Sequence, residues 1–214
     1  MIVIFILLSF SFASIEAFDF LPEDERGAQA CFSTLDEETR TIIVNSFNNI
    51  RSRIAKGKFV DYTGKLAPPG KNINKLKYDY TLEALLQVML AIPFSERIMP
   101  SGMMARGASF INVSVVQALT EGPSAMYYNY YTQNGTQVQG GTEFAFADAT
   151  SVACAYSAYS KNYPNGVSVL CGVSPVTPLF YESVYKFGTA CTKNSECTKP
   201  GFNKCDTSLG LCYP

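Results

Sequence analysis

The sequence predicts an α+β domain, because helical and strand-like apolar patterns occupy different parts of one chain. Toward the C-terminus, the short apolar runs 151–156 and 166–172 flank the turn-forming sequence of residues 163–166, which predicts two antiparallel strands. Earlier in the chain, large apolar residues recur at helical spacing, on one face of a helix: Ile43, Phe47, Ile50 and Ile54. Helices followed by strands within one domain indicate an α+β sandwich.

Three helices are predicted before the strands. The first begins at a capping-box pattern made by Thr34 and Glu37, and it ends at Gly57. Residues 58–74 form a long loop rich in Pro and Gly. A second helix is predicted over 81–90, with apolar residues at helical spacing, and a third over 112–121.

The N-terminus predicts export from the cell. Residues 2–12 are almost wholly apolar, but this run is shorter than the roughly 20 residues that a membrane-spanning helix needs. Small residues follow it as far as Ala17, which is typical of a secretory signal peptide cleaved after that residue. We therefore expect residues 1–17 to be removed and the mature chain to be secreted, extracellular and without stable membrane insertion.

Cysteine usage agrees with an oxidising compartment. Of the seven Cys, four crowd the end of the chain and predict a small disulfide framework: Cys191, Cys197, Cys205 and Cys212. Four cysteines allow three pairings, which the sequence alone leaves open. On the secretory route, two sequons predict N-glycosylation at Asn112 and Asn134.

Composition excludes several classes of function. The chain has 17 basic and 18 acidic residues, and this balance gives no reason to expect nucleic acid as a partner. It contains no His, the usual base near neutral pH and a common ligand of transition metals. The sequence also lacks a phosphate-binding glycine loop and a nucleophile elbow. We therefore predict no enzymatic activity and no cofactor.

Several motifs, in this order, resemble the CAP superfamily, which includes cysteine-rich secretory, antigen 5 and pathogenesis-related proteins. The first helix carries Asn48, Arg51 and Ala55-Lys56-Gly57, similar to the family's first-helix signature. Residues 76–79, followed by Leu82-Glu83, resemble the start of its second helix. Further similarities are the strands around Cys154 and Cys171 and the tail from Val184 to Cys212, which resembles the nematode venom-allergen-like, or activation-associated secreted, branch.

The resemblance implies a fold, a domain division and disulfide pairs. The implied fold is a three-layer α-β-α sandwich, the CAP or SCP domain, over residues 18–188, followed by a short disulfide-rich tail over 189–214. The implied disulfides are Cys154–Cys171, Cys191–Cys205 and Cys197–Cys212. Cys31 has no partner at the positions where nematode relatives supply one, so we predict that it is unpaired or bonds another molecule.

The chain departs from the family at a cavity that many members line with two His and two Glu, sometimes around zinc or magnesium. The matching positions here are degenerate: Glu96, Ala108, Gly140 and, in the same segment as Gly140, Glu143. Glu96 and Glu143 are either two solvated acids or a pair able to bind Ca²⁺. Neither position supplies the imidazole on which the family's metal site depends.

These observations predict a secreted, non-catalytic binding protein. The resemblance implies an extracellular protein partner in host interaction or immune modulation. Sterol or fatty-acid transport is the alternative, because a tyrosine-rich loop can either cover a ligand groove or simply pack on the sandwich: Tyr127, Tyr128, Tyr130 and Tyr131. A metal-dependent hydrolase is disfavoured by the missing His.

Overall fold

Helix α1 runs from Glu37 to Ala55 and buries an apolar face in the core of the domain. The computed structural model describes residues 35–60, 64–92, 96–126, 142–160, 163–176 and 184–214. In it, the four apolar residues predicted to share one helix face are all at least 97% buried. The helix ends as predicted, since Gly57 adopts the left-handed conformation with φ of 63° just beyond the last turn.

The start of α1 differs from the prediction. Asp36 is the N-cap, and its side chain accepts a hydrogen bond of 2.7 Å from the backbone N–H of Thr39. The assignment of this role to Thr34 was therefore wrong. Asp is as good a cap as Thr because both place an oxygen near the free N–H groups of the first turn.

A four-stranded sheet forms the centre of the domain. Its strands and the two remaining helices have these bounds: β2 Lys77–Tyr78, α2 Tyr80–Ala91, β3 Met104–Ile111, α3 Val115–Met126, β4 Ser151–Ser160 and β5 Tyr163–Ser174. The strands lie in the order β2-β4-β5-β3. β2 pairs with β4 in parallel, and the other two pairings are antiparallel.

The two faces of the sheet bury different helices. On one face, Val152, Cys154 and Val169 join the core that contains α1 and α3 residues. On the other face, Ala153, Ala155 and Leu170 pack with Leu82, Leu86 and Met89 of α2. Because alternate strand residues point to opposite faces, one sheet separates two helical layers. The predicted three-layer α-β-α sandwich is confirmed.

Three local predictions were incomplete or wrong. β3 was not predicted, because its sequence lacks regular alternation and its strand conformation depends on pairing with β5 along its whole length. The third helix begins at Val115 rather than at Asn112, which has a positive φ of 59°. Residues 163–166 belong to β5, so the predicted turn there was wrong, although the antiparallel pair itself is confirmed.

The C-terminal tail is fastened to the loop that follows α1. β1, Gly70–Lys71, pairs with β6, Lys186–Phe187. β7, Lys204–Asp206, pairs with β8, Leu211–Tyr213, within the tail. The disulfides are those that the resemblance implies: Cys154–Cys171 between opposite residues of β4 and β5, and Cys191–Cys205 and Cys197–Cys212 in the tail.

Candidate functional site

Of the positions that match the family's metal cavity, the two whose side chains the structure describes, Glu96 and Ala108, do not form a metal site. Glu96 is exposed after α2, and Ala108 lies in β3 with a methyl group packed against the core. The backbone of Glu143 belongs to a 3-10 helix, Thr142–Ala145, whereas Gly140 lies outside the described residues. Ala108 offers no ligand atom, and the exposed Glu96 does not enclose a metal ion. The two described positions therefore do not fit the metal that many members of the family bind.

The side chain of Arg51 holds the segment that precedes β4. Arg51 is fully buried in α1, and Nη1 donates to the carbonyls of Phe144 and Phe146 at 2.8 and 2.9 Å. Nε donates to the carbonyl of Asn74 at 2.9 Å, and Nη2 to that of Ala147 at 3.3 Å. A buried guanidinium is tolerated where such acceptors replace water. This residue therefore positions backbone in two segments of the chain.

Asn48 lies one turn before Arg51 and fixes a second segment. Its side-chain amide donates to the carbonyl of Leu76 at 3.0 Å and accepts from the Leu76 N–H at 2.9 Å. Asn48 and Arg51 point the same way because they are three residues apart on the helix. The family signature on α1 is thus a pair of buried clamps that hold residues 74–76 and 144–147.

Glu83 of α2 joins the two helical layers at the edge of the sheet. Its buried carboxylate accepts from Arg40 Nε at 2.8 Å and Nη2 at 3.2 Å, and from the hydroxyl of Tyr78 at 2.8 Å. Hydrogen bonds to Glu83 raise the pKa of Arg40, while burial and the neighbouring carboxylate raise the pKa of Tyr78. With both pKa values raised, Arg40 stays charged and Tyr78 stays protonated. The three side chains therefore form a structural network.

A row of three serines crosses the sheet beyond the residues that α2 covers. Ser157, Ser168 and Ser109 lie opposite one another on β4, β5 and β3, and the hydroxyl oxygens of Ser109 and Ser168 are 2.9 Å apart. They border a cavity of about 350 Å³, whose other lining residues are Phe110, Ile111, Gly166 and Val167. A serine nucleophile needs an adjacent base, and none of these lining residues is one. The row can offer hydrogen bonds to a ligand, but it lacks the parts for acyl transfer.

The described residues contain one group of three or more potential metal ligands, formed by Cys191, Cys197 and Cys205, whose sulfur atoms lie within 4.8 Å of one another. All three are in disulfides, and metal binding needs a thiolate. The two disulfides therefore stack at the core of the tail without providing a metal centre.

The remaining predicted sites are only partly covered. Asn112 is exposed between β3 and α3, and the Ser114 hydroxyl of its sequon accepts from the Gln117 N–H at 3.1 Å. Several predicted features lie outside the described ranges: the predicted signal peptide over residues 1–17, Cys31, Asn134 and the tyrosines Tyr127, Tyr128, Tyr130 and Tyr131. Within the described ranges, no helix is long and apolar enough to cross a membrane.

Comparisons with known proteins agree with the fold. The chain is 25% identical over 197 residues to Ancylostoma secreted protein of Ancylostoma caninum, a match that covers 84% of this chain but only 44% of that protein. Among solved structures, BmVAL-1 has a TM-score of 0.69 at 22% identity and covers 88% of this chain and 97% of its own. A structure of NaASP2 with Zn²⁺ has a TM-score of 0.67 at 20% identity and covers 87% and 100%. No family model matches the sequence.

In its α-β-α layers, the chain has the fold of BmVAL-1 and of NaASP2. In sequence it is similar to Ancylostoma secreted protein, which agrees with the resemblance of its motifs to the venom-allergen-like branch of the CAP superfamily. The chain spans less than half the length of the Ancylostoma relative.

Proposed function

We propose that this chain is an extracellular CAP-type binding protein that acts on a protein partner without catalysis, in host interaction or immune modulation. The observation that carries this proposal is the complete absence of His from the 214 residues. The cavity position that a Glu would occupy in the family is Ala108, whose methyl group packs against the core. A protein without these groups retains a surface for recognition and loses the means to bind zinc or to transfer protons near neutral pH.

The extracellular setting is supported by two independent features. The relative from Ancylostoma caninum is a secreted protein by name. The three disulfides of the described residues also favour an oxidising compartment, where such bonds persist. The predicted signal peptide over residues 1–17 is consistent with both.

The buried polar groups support a recognition role rather than a reactive one. The carboxylate of Glu83 and the guanidinium of Arg51 are both directed into the protein, where neighbouring groups occupy their hydrogen-bonding atoms. The most polar buried groups of the domain therefore maintain its shape. A rigid scaffold of this kind presents surface loops for binding.

Capture of extracellular host proteins on the immobilised, oxidised chain tests the proposal. We expect a defined partner to be retained equally with and without a metal chelator and to be released unmodified. The matched control is the same chain with its disulfides reduced and alkylated. Loss of capture with the chelator, or cleavage of the partner, would contradict binding without catalysis.

Lipid transport is the second candidate, supported by the cavity of about 350 Å³ beside the serine row. This volume is near the lower limit for small-molecule pockets, and three hydroxyls at its wall suit the polar end of an amphipathic ligand. Native mass spectrometry of the secreted chain decides between the two functions. A retained sterol or fatty acid supports transport, and its absence after saturation with both ligands contradicts it.

A further inference from the structure

The nearly balanced net charge conceals a strong segregation of charge along the chain. Residues 51–77 contain eight Lys and Arg but a single acid, Asp61. Residues 184–214 add four Lys against two acids, Glu196 and Asp206. The other 15 acids lie elsewhere, seven of them between residues 19 and 38.

The fold brings these two basic segments onto one surface. The Asn72 amide donates to the Thr198 hydroxyl at 2.9 Å, and the Lys56 ammonium donates to the Ser208 carbonyl at 2.6 Å. The pairing of β1 with β6 extends the same junction. We call the surface formed by residues 56–60, 64–77 and 186–204 the lysine face.

Lys71 and Lys186 occupy the middle of the lysine face and lie directly opposite each other in the β1–β6 pair. Like charges in this position destabilise a strand pair. Both side chains are exposed, and neither forms an ion pair with an acid of the described residues. An arrangement that costs stability in the free protein becomes favourable when an anion lies between the two ammonium groups.

The acids near Lys71 and Lys186 are already engaged. Asp206 pairs with Lys75 at 2.7 Å, and Asp148 pairs with Lys199. Glu196 accepts from the N–H and the hydroxyl of Thr192. Burial lowers the pKa of Lys199, and the positive charges of Arg51 and Lys186 contribute in the same direction. The positive potential at this junction is therefore only partly compensated by the described acids.

We propose that the lysine face binds a sulfated polysaccharide of the extracellular matrix or cell surface, with Lys71 and Lys186 as its central contacts. Separated lysines on an exposed ribbon suit a flexible polyanion, because each ammonium acts as an independent point charge. The exposed ring of Phe187, next to Lys186, offers an apolar surface to a sugar ring. Anionic lipids concentrate in the cytoplasmic leaflet, which a secreted protein does not face.

This inference names a partner class in addition to the protein partner, and it rests on the proposed extracellular function. Binding of heparin by the intact, oxidised chain tests it. We expect retention on heparin at physiological salt, with a log–log salt dependence, and no retention on desulfated heparin. The double variant Lys71→Gln/Lys186→Gln should elute at lower salt, with a slope shallower by roughly 1 to 2.

A variant with the same change in net charge provides the control. Val88→Glu/Ile98→Glu also lowers the net charge by two, but it changes exposed residues on and after α2, outside the lysine face. We expect it to elute close to the unchanged protein, and neither variant to have a lower melting temperature than that protein. Equal losses in the two variants, or no retention of the unchanged chain, would overturn the proposal.

Two competition experiments distinguish binding of the polysaccharide from binding of other polyanions. Phosphatidylserine vesicles or single-stranded RNA that compete with heparin at equal charge concentration would also overturn the assignment. A negative heparin result leaves the chelator-resistant capture of a protein partner unaffected. The failure of this proposal and the failure of the proposed function can therefore be distinguished.

Discussion

The guanidinium of Arg51 lies 2.8 Å from the carbonyl oxygen of Phe144, a residue 93 positions later in the chain. This bond joins the first helix to the segment that precedes β4, and the same side chain also reaches the loop before β2 through Asn74. One fully buried cation thus holds two irregular segments against α1. The positions of both segments depend on this side chain.

Arg51→Met should destabilise the domain by about 3 kcal/mol or more, because it leaves several buried carbonyls without a donor. The free energy of unfolding from urea titration, with the disulfides intact, measures this effect. Arg53→Met, two residues further along the same helix on an exposed side chain, should cost less than about 1 kcal/mol. Similar losses for the two variants would contradict the clamp.

Glu83→Gln should weaken the junction between α1 and α2 and should lower the pKa of Tyr78. The Glu83 carboxylate accepts a hydrogen bond from the Tyr78 hydroxyl, and its negative charge disfavours the phenolate. Because the folded pKa of Tyr78 lies above the ordinary value, its contribution to stability is present below pH 10 and lost as pH rises further. Ultraviolet titration of the tyrosines measures the shift. Tyr78→Phe in both backgrounds identifies the residue, and an unchanged titration curve in Glu83→Gln would refute the assignment.

Asp206→Asn should destabilise the tail at neutral pH by roughly 1 kcal/mol. The expected loss is small because the ion pair between Asp206 and Lys75 is partly exposed to solvent. The hydrogen bond with Lys75 lowers the pKa of Asp206 to about 2. A lowered folded pKa means that this stability is present above about pH 4 and disappears as pH falls towards 2. Unfolding at pH 7 and pH 2 checks this, with Glu121→Gln as an exposed control. A difference from the unchanged chain that persists at pH 2 would disagree with this account.

Cys31 should appear as one reactive thiol in the denatured, unreduced monomer, or as the bond of a disulfide-linked dimer. The six other cysteines are all in intramolecular disulfides. Thiol counting with and without reductant, followed by peptide mapping, makes the measurement. A monomer with no free thiol would be evidence against the prediction.

The elements with strong periodicity were predicted correctly. The apolar spacing of α1 and α2 is sufficient to identify the buried faces, because their registers agree with a 3.6-residue repeat. The antiparallel pair β4–β5 was also recognised, but its turn was placed too late. Residues 163–166 pair within the sheet, and sheet pairing overrides their turn propensity.

Non-local contacts account for what the sequence did not reveal. β3 has no clear alternation and becomes a strand because β5 lies beside it. Arg51 was recognised only as part of a signature, since no local pattern shows that a charged residue will be buried with carbonyls from two distant segments. The two lysine-rich segments lie far apart in the sequence. Only the pairing of β1 with β6 shows that they come together on one surface.

Zinc titration of the purified, oxidised chain by calorimetry, together with its metal content by mass spectrometry, tests the central claim most directly. The claim is that a chain without His, and with Ala108 at a cavity position, recognises its partners without a metal. We predict no saturable zinc binding and no stoichiometric metal in secreted material. One zinc ion bound per chain, or a hydrolytic activity that a chelator removes, would contradict it.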